Sequence, residues 1–118
     1  MKELPRRTKG ATAHTHAVAS KDSKKVREED RTRDLTTDIE DGPAQVQVTH
    51  GIKRWESSRE SGMTIETTCT VMIPCARDEL IMQRANNYAA AMAHEFAWKD
   101  HKTIQKDLDS FVDWLEKK

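Results

Sequence analysis

The amino-acid sequence predicts an α+β protein: a β-hairpin packed against one long or two amphipathic C-terminal helices, preceded by a disordered N-terminal arm. Three features of the residue pattern predict this. Apolar and polar residues alternate in two stretches between residues 45 and 73. After Cys75 the apolar residues recur at helical spacing. Before Pro43 large apolar residues are scarce.

The first 43 residues form the predicted arm. After Met1, its larger aliphatic residues are Leu4, Val18, Val26, Leu35 and Ile39, with no aromatic among them. So few cannot repay the entropy of ordering a backbone. Residues 22–33 hold adequate helix formers but no apolar face, which predicts a transient helix at most. Asp41-Gly42-Pro43 is a turn signal that closes the arm.

Residues 44–118 form the predicted folded domain. Val46, Val48, His50 and Ile52 alternate with Gln45, Gln47, Thr49, Gly51 and Lys53, the period-two pattern of a half-buried strand. Met63, Ile65, Thr67, Cys69, Val71 and Ile73 repeat the pattern in a second strand rich in β-branched residues. Pro74 ends it, because proline lacks the ladder donor. From there Leu80, Ile81, Ala85, Tyr88, Met92 and Phe96 form an amphipathic stripe, with Asp78 and Glu79 at its favourable N-terminal end. A second stripe runs through Ile104, Leu108, Phe111, Val112 and Leu115. The polar residues Lys99 to Lys102 predict a break near Asp100, while the shared register of residues 88, 92, 96, 104, 108 and 112 keeps a single helix open. A core this small makes a homo-oligomer or a bound protein partner an expectation.

Charge sharpens the division. The 118 residues carry 20 basic and 20 acidic groups, for a formal net charge of zero. Residues 1–33 hold ten basic and five acidic groups, and residues 34–118 the reverse excess. A basic arm on an acidic body is a signal for a charged partner. No apolar run approaches the roughly 18 residues of a membrane span, and no apolar segment of a signal peptide follows Met1. A cytoplasmic protein, in a bacterial or phage-infected cell, is expected.

Few residues offer catalytic chemistry. Cys69 and Cys75 are too far apart in an extended strand to form a disulfide and fit no metal-binding CxxC pattern, so buried thiols are expected. His14-x-His16 lies in the arm with no further ligand near it in sequence, and His94 and His101 are joined by no Cys or His. A phosphate-binding loop, a nucleophile elbow and an HExxH motif are all absent. The expectation is no enzyme, no cofactor, no metal and no small-molecule substrate.

One cluster does suggest chemistry. Lys53, Arg54, Trp55 and Arg59 lie at the end of the first strand and in its loop. An indole among cations provides a stacking platform with phosphate neutralisation, the combination that binds single-stranded nucleic acid. Lys24, Lys25 and Arg27 of the basic arm would add attraction along the backbone. Thr64, Glu66, Thr68 and Thr70 form the outer face of the second strand. Against this, Glu56, Glu60 and Glu66 offset the local positive charge, and Trp55 equally well caps the core. Trp98 and Trp114 sit on helical faces that read as core or as a self-association surface.

The segments VQVTHGIKRWES, MTIETTCTVMIPC and ARDELIMQRANNYAAAM resemble small accessory proteins of bacteriophages and mobile elements. In these a strand, a polar loop with an aromatic, a Thr- or Val-rich strand ending in a Pro-Cys-like turn, and an acidic-start helix follow one another. Some relatives accompany phage recombination genes as single-stranded-DNA-binding-like partners. The resemblance implies a role for Trp55 as the loop aromatic. It covers residues 46–92 and leaves the arm and the second helical stripe outside. Two functions therefore stand in view. One is a non-enzymatic nucleic-acid-binding accessory protein for single strands in phage or plasmid replication and recombination. The other is a protein-interaction or assembly module, such as a virion subunit, a host-protein inhibitor or an antitoxin-like partner.

Overall fold

In a computed structural model that describes residues 10–21, 24–58 and 61–116, the chain forms four antiparallel strands and one C-terminal helix. The strands are β1 (Thr12–Lys21), β2 (Lys24–Asp34), β3 (Ala44–Ser58) and β4 (Ser61–Cys75), and the helix is α1 (Glu79–Glu116). The sheet order is β2-β1-β4-β3, which joins two antiparallel strand pairs through the central β1–β4 pair. The α+β class follows from this arrangement. Among the described residues no helix is long and apolar enough to cross a membrane.

The N-terminal segment departs from the sequence reading. Residues 12–21 and 24–34 pair as antiparallel strands of the sheet rather than lying in a disordered arm, and residues 24–34 are strand rather than transient helix. The reason is the size of the buried side chains. Ala11, Ala13, Thr15, Ala17 and Ala19 alternate inward and are all buried. Period-two burial of alanine and threonine gives a strand that a search for large aliphatics passes over. β2 brings little apolar area of its own. It is held by its ladder to β1 and by the ion pair of Arg33 with Asp100 on α1.

β3 and β4 follow the alternation read from the sequence. Their register pairs Val46 with Ile73, Val48 with Val71 and Ile52 with Thr67. Both cysteines are buried free thiols, Cys69 and Cys75, and burial pushes each thiol above its ordinary pKa. Asp78 caps the helix: its Oδ1 accepts from the backbone N–H of Leu80 at 3.0 Å and of Ile81 at 3.2 Å.

The helix is single, 38 residues long, or about 57 Å at 1.5 Å per residue. It runs back along the sheet and covers one face only. Ala85, Ala89, Ala93 and Ala97 recur every fourth residue and are fully buried against that face. The expected break at Lys99–Lys102 does not occur, because Asp100 and His101 turn inward and are buried. His101 Nδ1 lies 3.0 Å from the hydroxyl of Thr67 on β4. The two middle residues of the polar run belong to the buried face, while Lys99 and Lys102 stay exposed. The side chains of Phe111, Val112, Trp114 and Leu115 lie outside the described residues.

The segment between β2 and β3 is also tied down. Ile39 is buried, and the Ala76 N–H donates to the carbonyl of Glu40 at 2.8 Å. Gly42 sits directly against this strap. A Cβ at Gly42 would lie 2.8 Å from the Ala76 nitrogen and 2.9 Å from the Cys75 oxygen, both of them backbone atoms. Gly42→Ala is therefore expected to cost about 1–3 kcal/mol, the range for forcing atoms into a packed place. A lowered urea midpoint at unchanged slope would report it.

Candidate nucleic-acid interface

The strand register decides where the sequence-selected residues fall. Arg54 pairs with Ile65, Ile65 with Ala19, and Ala19 with Arg27, so Arg54 and Arg27 end one transverse row of the sheet. Trp55, Thr64, Ser20 and Lys25 make the next row. Lys24 pairs with Lys21 one row further on. Both groups thus lie at the same end of the sheet, but on its opposite edges. Three strand spacings, about 14 Å, separate them. Trp55 is placed by its backbone alone; its side chain and the whole of Arg59 lie outside the described residues.

The charges of this end are largely engaged. Lys25 Nζ bonds Glu28, Arg27 bonds Glu29 at 2.6 Å, and Lys53 Nζ lies 2.9 Å from Glu66. Arg54 donates to Gln105 on α1 at 2.8 Å. The exposed pairs among these are worth little in water and exchange readily for phosphate oxygens.

The edge beside β3 holds residues that the sequence reading assigned elsewhere. Of the two readings open for Trp98, core or self-association surface, its 38% exposure leaves only a surface position. His50 on β3 stands 4.9 Å from His94, His94 stands 6.4 Å from Trp98, and Trp98 stands 5.7 Å from His101, each in an edge-to-face arrangement. An open depression beside these rings is lined by His94, Glu95, Trp98, Lys99 and Lys102. Lys99 and Lys102 have no ion-pair partner among the described residues. The depression on α1, next to the β3 edge through the His50–His94 contact, therefore presents one indole, one imidazole, two lysines and the Glu95 carboxylate. A stacking surface flanked by cations suits an unpaired base and its phosphate. The signal was present in the four-residue spacing of His94, Trp98 and Lys102, which sets them on one helical face, but it was obscured by reading residues 99–102 as a break.

The deepest electrostatic feature is structural. Arg33 on β2 reaches across to α1 and grips Asp100 with two hydrogen bonds, of 2.7 and 2.6 Å. Its guanidinium also lies 4.6 Å from the centre of the Phe96 ring. Burial acts to raise the Asp100 carboxyl, but the bonds from Arg33 and Thr15 and the charges of Arg33 and Arg31 outweigh it and hold the group below its ordinary value. The bond to Asp100 raises Arg33 further above its already high one.

The histidines of the N-terminal segment correct another expectation. His14 and His16, which have no ligand near them in sequence, stand beside Glu28 and Asp30 once β1 and β2 pair. The chain matches no protein-family model, no curated protein and no solved structure.

Proposed function

We propose that this protein is a non-enzymatic binder of single-stranded nucleic acid, and that the strand lies along the groove between the β3 edge and α1. The observation that carries the reading is the exposed Trp98 with Lys99 and Lys102 beside it, at the edge strand that bears Lys53, Arg54 and Trp55. A base stacked on an indole, with phosphates on neighbouring lysines, needs no sequence-specific hydrogen bond. Lys24, Lys25 and Arg27 extend the positive end across the sheet for a longer strand. The resemblance of residues 46–92 to phage and mobile-element accessory proteins favours DNA in replication or recombination. Two free thiols fit a reducing, cytoplasmic setting.

Anisotropy of a labelled 30-mer oligonucleotide at low salt tests the proposal. Binding is expected for the natural sequence. Trp98→Ala should weaken it by about 1–3 kcal/mol, the range for one base–aromatic stack. Lys99→Ala combined with Lys102→Ala should weaken it further, with an unchanged far-ultraviolet circular dichroism spectrum. No binding at low salt, or equal binding by all three proteins, would refute it.

A second reading, an assembly or partner-docking module, is favoured by β3 itself. It is a 15-residue strand at the edge of the sheet, and long open edges invite pairing with another chain. Light scattering that finds a stable oligomer, disrupted by proline at an outward backbone position of β3, would support it. A monomer at all concentrations would exclude the self-assembling form.

A further inference from the structure

We propose that His14, His16, Glu28 and Asp30 form a binding site for zinc(II) on the open face of the sheet. The site arises from two His-x-His-like alternations set side by side. His14 and His16 are two apart on β1 and so project from the same face, as do Glu28 and Asp30 on β2. The register pairs His16 with Asp30 and places Glu28 two residues along. Two imidazoles and two carboxylates therefore meet over one patch of sheet.

The distances are close to what a metal requires. His16 Nδ1 lies 2.8 Å from Asp30 Oδ1, and His14 Nε2 lies 3.1 Å from the same oxygen. His16 Nε2 lies 3.4 Å from Glu28 Oε1. One ligand atom from each of His16, Glu28 and Asp30 can be chosen so that all lie within 4.8 Å of one another. Tetrahedral zinc ligands, each about 2.0–2.1 Å from the ion, stand roughly 3.3 Å apart. One imidazole gives one nitrogen to the ion, so with His16 Nδ1 beside Asp30 as ligand, the Glu28 carboxylate, which faces Nε2, must swing toward Asp30 to complete the coordination sphere. All four side chains are between 37 and 55% exposed, so this rotation meets no packed wall.

The charge balance points the same way. Glu28 and Asp30 place two carboxylates on one face two residues apart, and a divalent cation neutralises both. Lys25 Nζ holds the other oxygen of Glu28, which leaves Oε1 directed to His16. The imidazoles give the site its selectivity. Calcium and magnesium prefer six or more oxygen ligands, whereas zinc takes nitrogen and oxygen in fourfold coordination. Nothing in the β3–α1 groove contributes, so this site stands independently of the nucleic-acid reading.

Calorimetric titration of the full chain with zinc chloride, in a buffer that does not chelate, tests the assignment. One equivalent is expected to bind, to raise the melting temperature, and to be removed by a chelator. His16→Ala and Asp30→Asn should each weaken binding by more than about 100-fold, beyond what loss of an outer-shell partner costs. His14→Ala should weaken it, and His94→Ala should leave it unchanged. Each variant is to keep the circular dichroism spectrum of the parent, as expected for exposed positions. Absence of stoichiometric binding would overturn the proposal. So would binding that survives loss of His16, or equal competition by magnesium.

Discussion

Replacing Arg33 by alanine is expected to destabilise the protein by about 3 kcal/mol, because it strands a buried carboxylate. The Asp100 side chain is 4% exposed, and its two oxygens receive the two Arg33 bonds. Arg31 stands 3.8 Å away and is half exposed, so it compensates only in part. The loss also removes the guanidinium from the face of Phe96. Urea unfolding should show the effect as a lowered midpoint. The double variant Arg33→Met with Asp100→Asn should recover much of the loss, since neither partner is then left charged and unpaired. The pair also predicts acid sensitivity. Asp100 has a depressed pKa in the folded state, so its contribution is fully present above its unfolded value of about 3.9 and disappears as pH falls through the folded value. Asp100→Asn should therefore lose stability near neutrality and show a flatter pH dependence below about pH 4. If Arg33→Ala unfolded at the parent midpoint, the pair would have no structural weight.

The second large effect is expected on the alanine stripe of α1. Ala93→Leu should cost about 3 kcal/mol or more, at the upper end for overpacking. Ala93 is fully buried in the cluster that contains Ala89, Ala97, Cys69 and Val71. Small side chains here let the helix lie close to a sheet whose β1 face is itself alanine and threonine. A leucine must push the helix away along its length, because the neighbouring positions 89 and 97 have no slack to give. Ala91→Leu, on the exposed side of the same helix, is the control and should change stability by no more than about 0.5 kcal/mol. Equal effects at the two positions would contradict the packing described.

The same small residues explain what the sequence disclosed and what it did not. β3, β4 and the first half of α1 were legible because valine, isoleucine, leucine and phenylalanine mark their periods. β1 and β2 were not, since alternating Ala13, Thr15, Ala17 and Ala19 carry burial without bulk, and β2 consists largely of charged residues. Arg33 and Asp100 are 67 residues apart, and nothing local links them. The meeting of His14 and His16 with Glu28 and Asp30 depends on the β1–β2 register, which follows only once the segment is known to be strand. The Lys53, Arg54 and Trp55 cluster was found from composition. Trp98 stayed open between core and self-association surface, because an aromatic on a helical face does not show which until the position of the sheet edge is known.

The salt dependence of oligonucleotide binding tests the functional account at its centre. If three phosphates rest on Arg54, Lys99 and Lys102, about two counterions are released in total, and the logarithm of the binding constant should fall with the logarithm of salt at a slope of about −2. The slope should become shallower when Lys99 and Lys102 are both replaced by alanine. A slope near zero, or one that the two substitutions leave unchanged, would contradict binding along the β3–α1 groove.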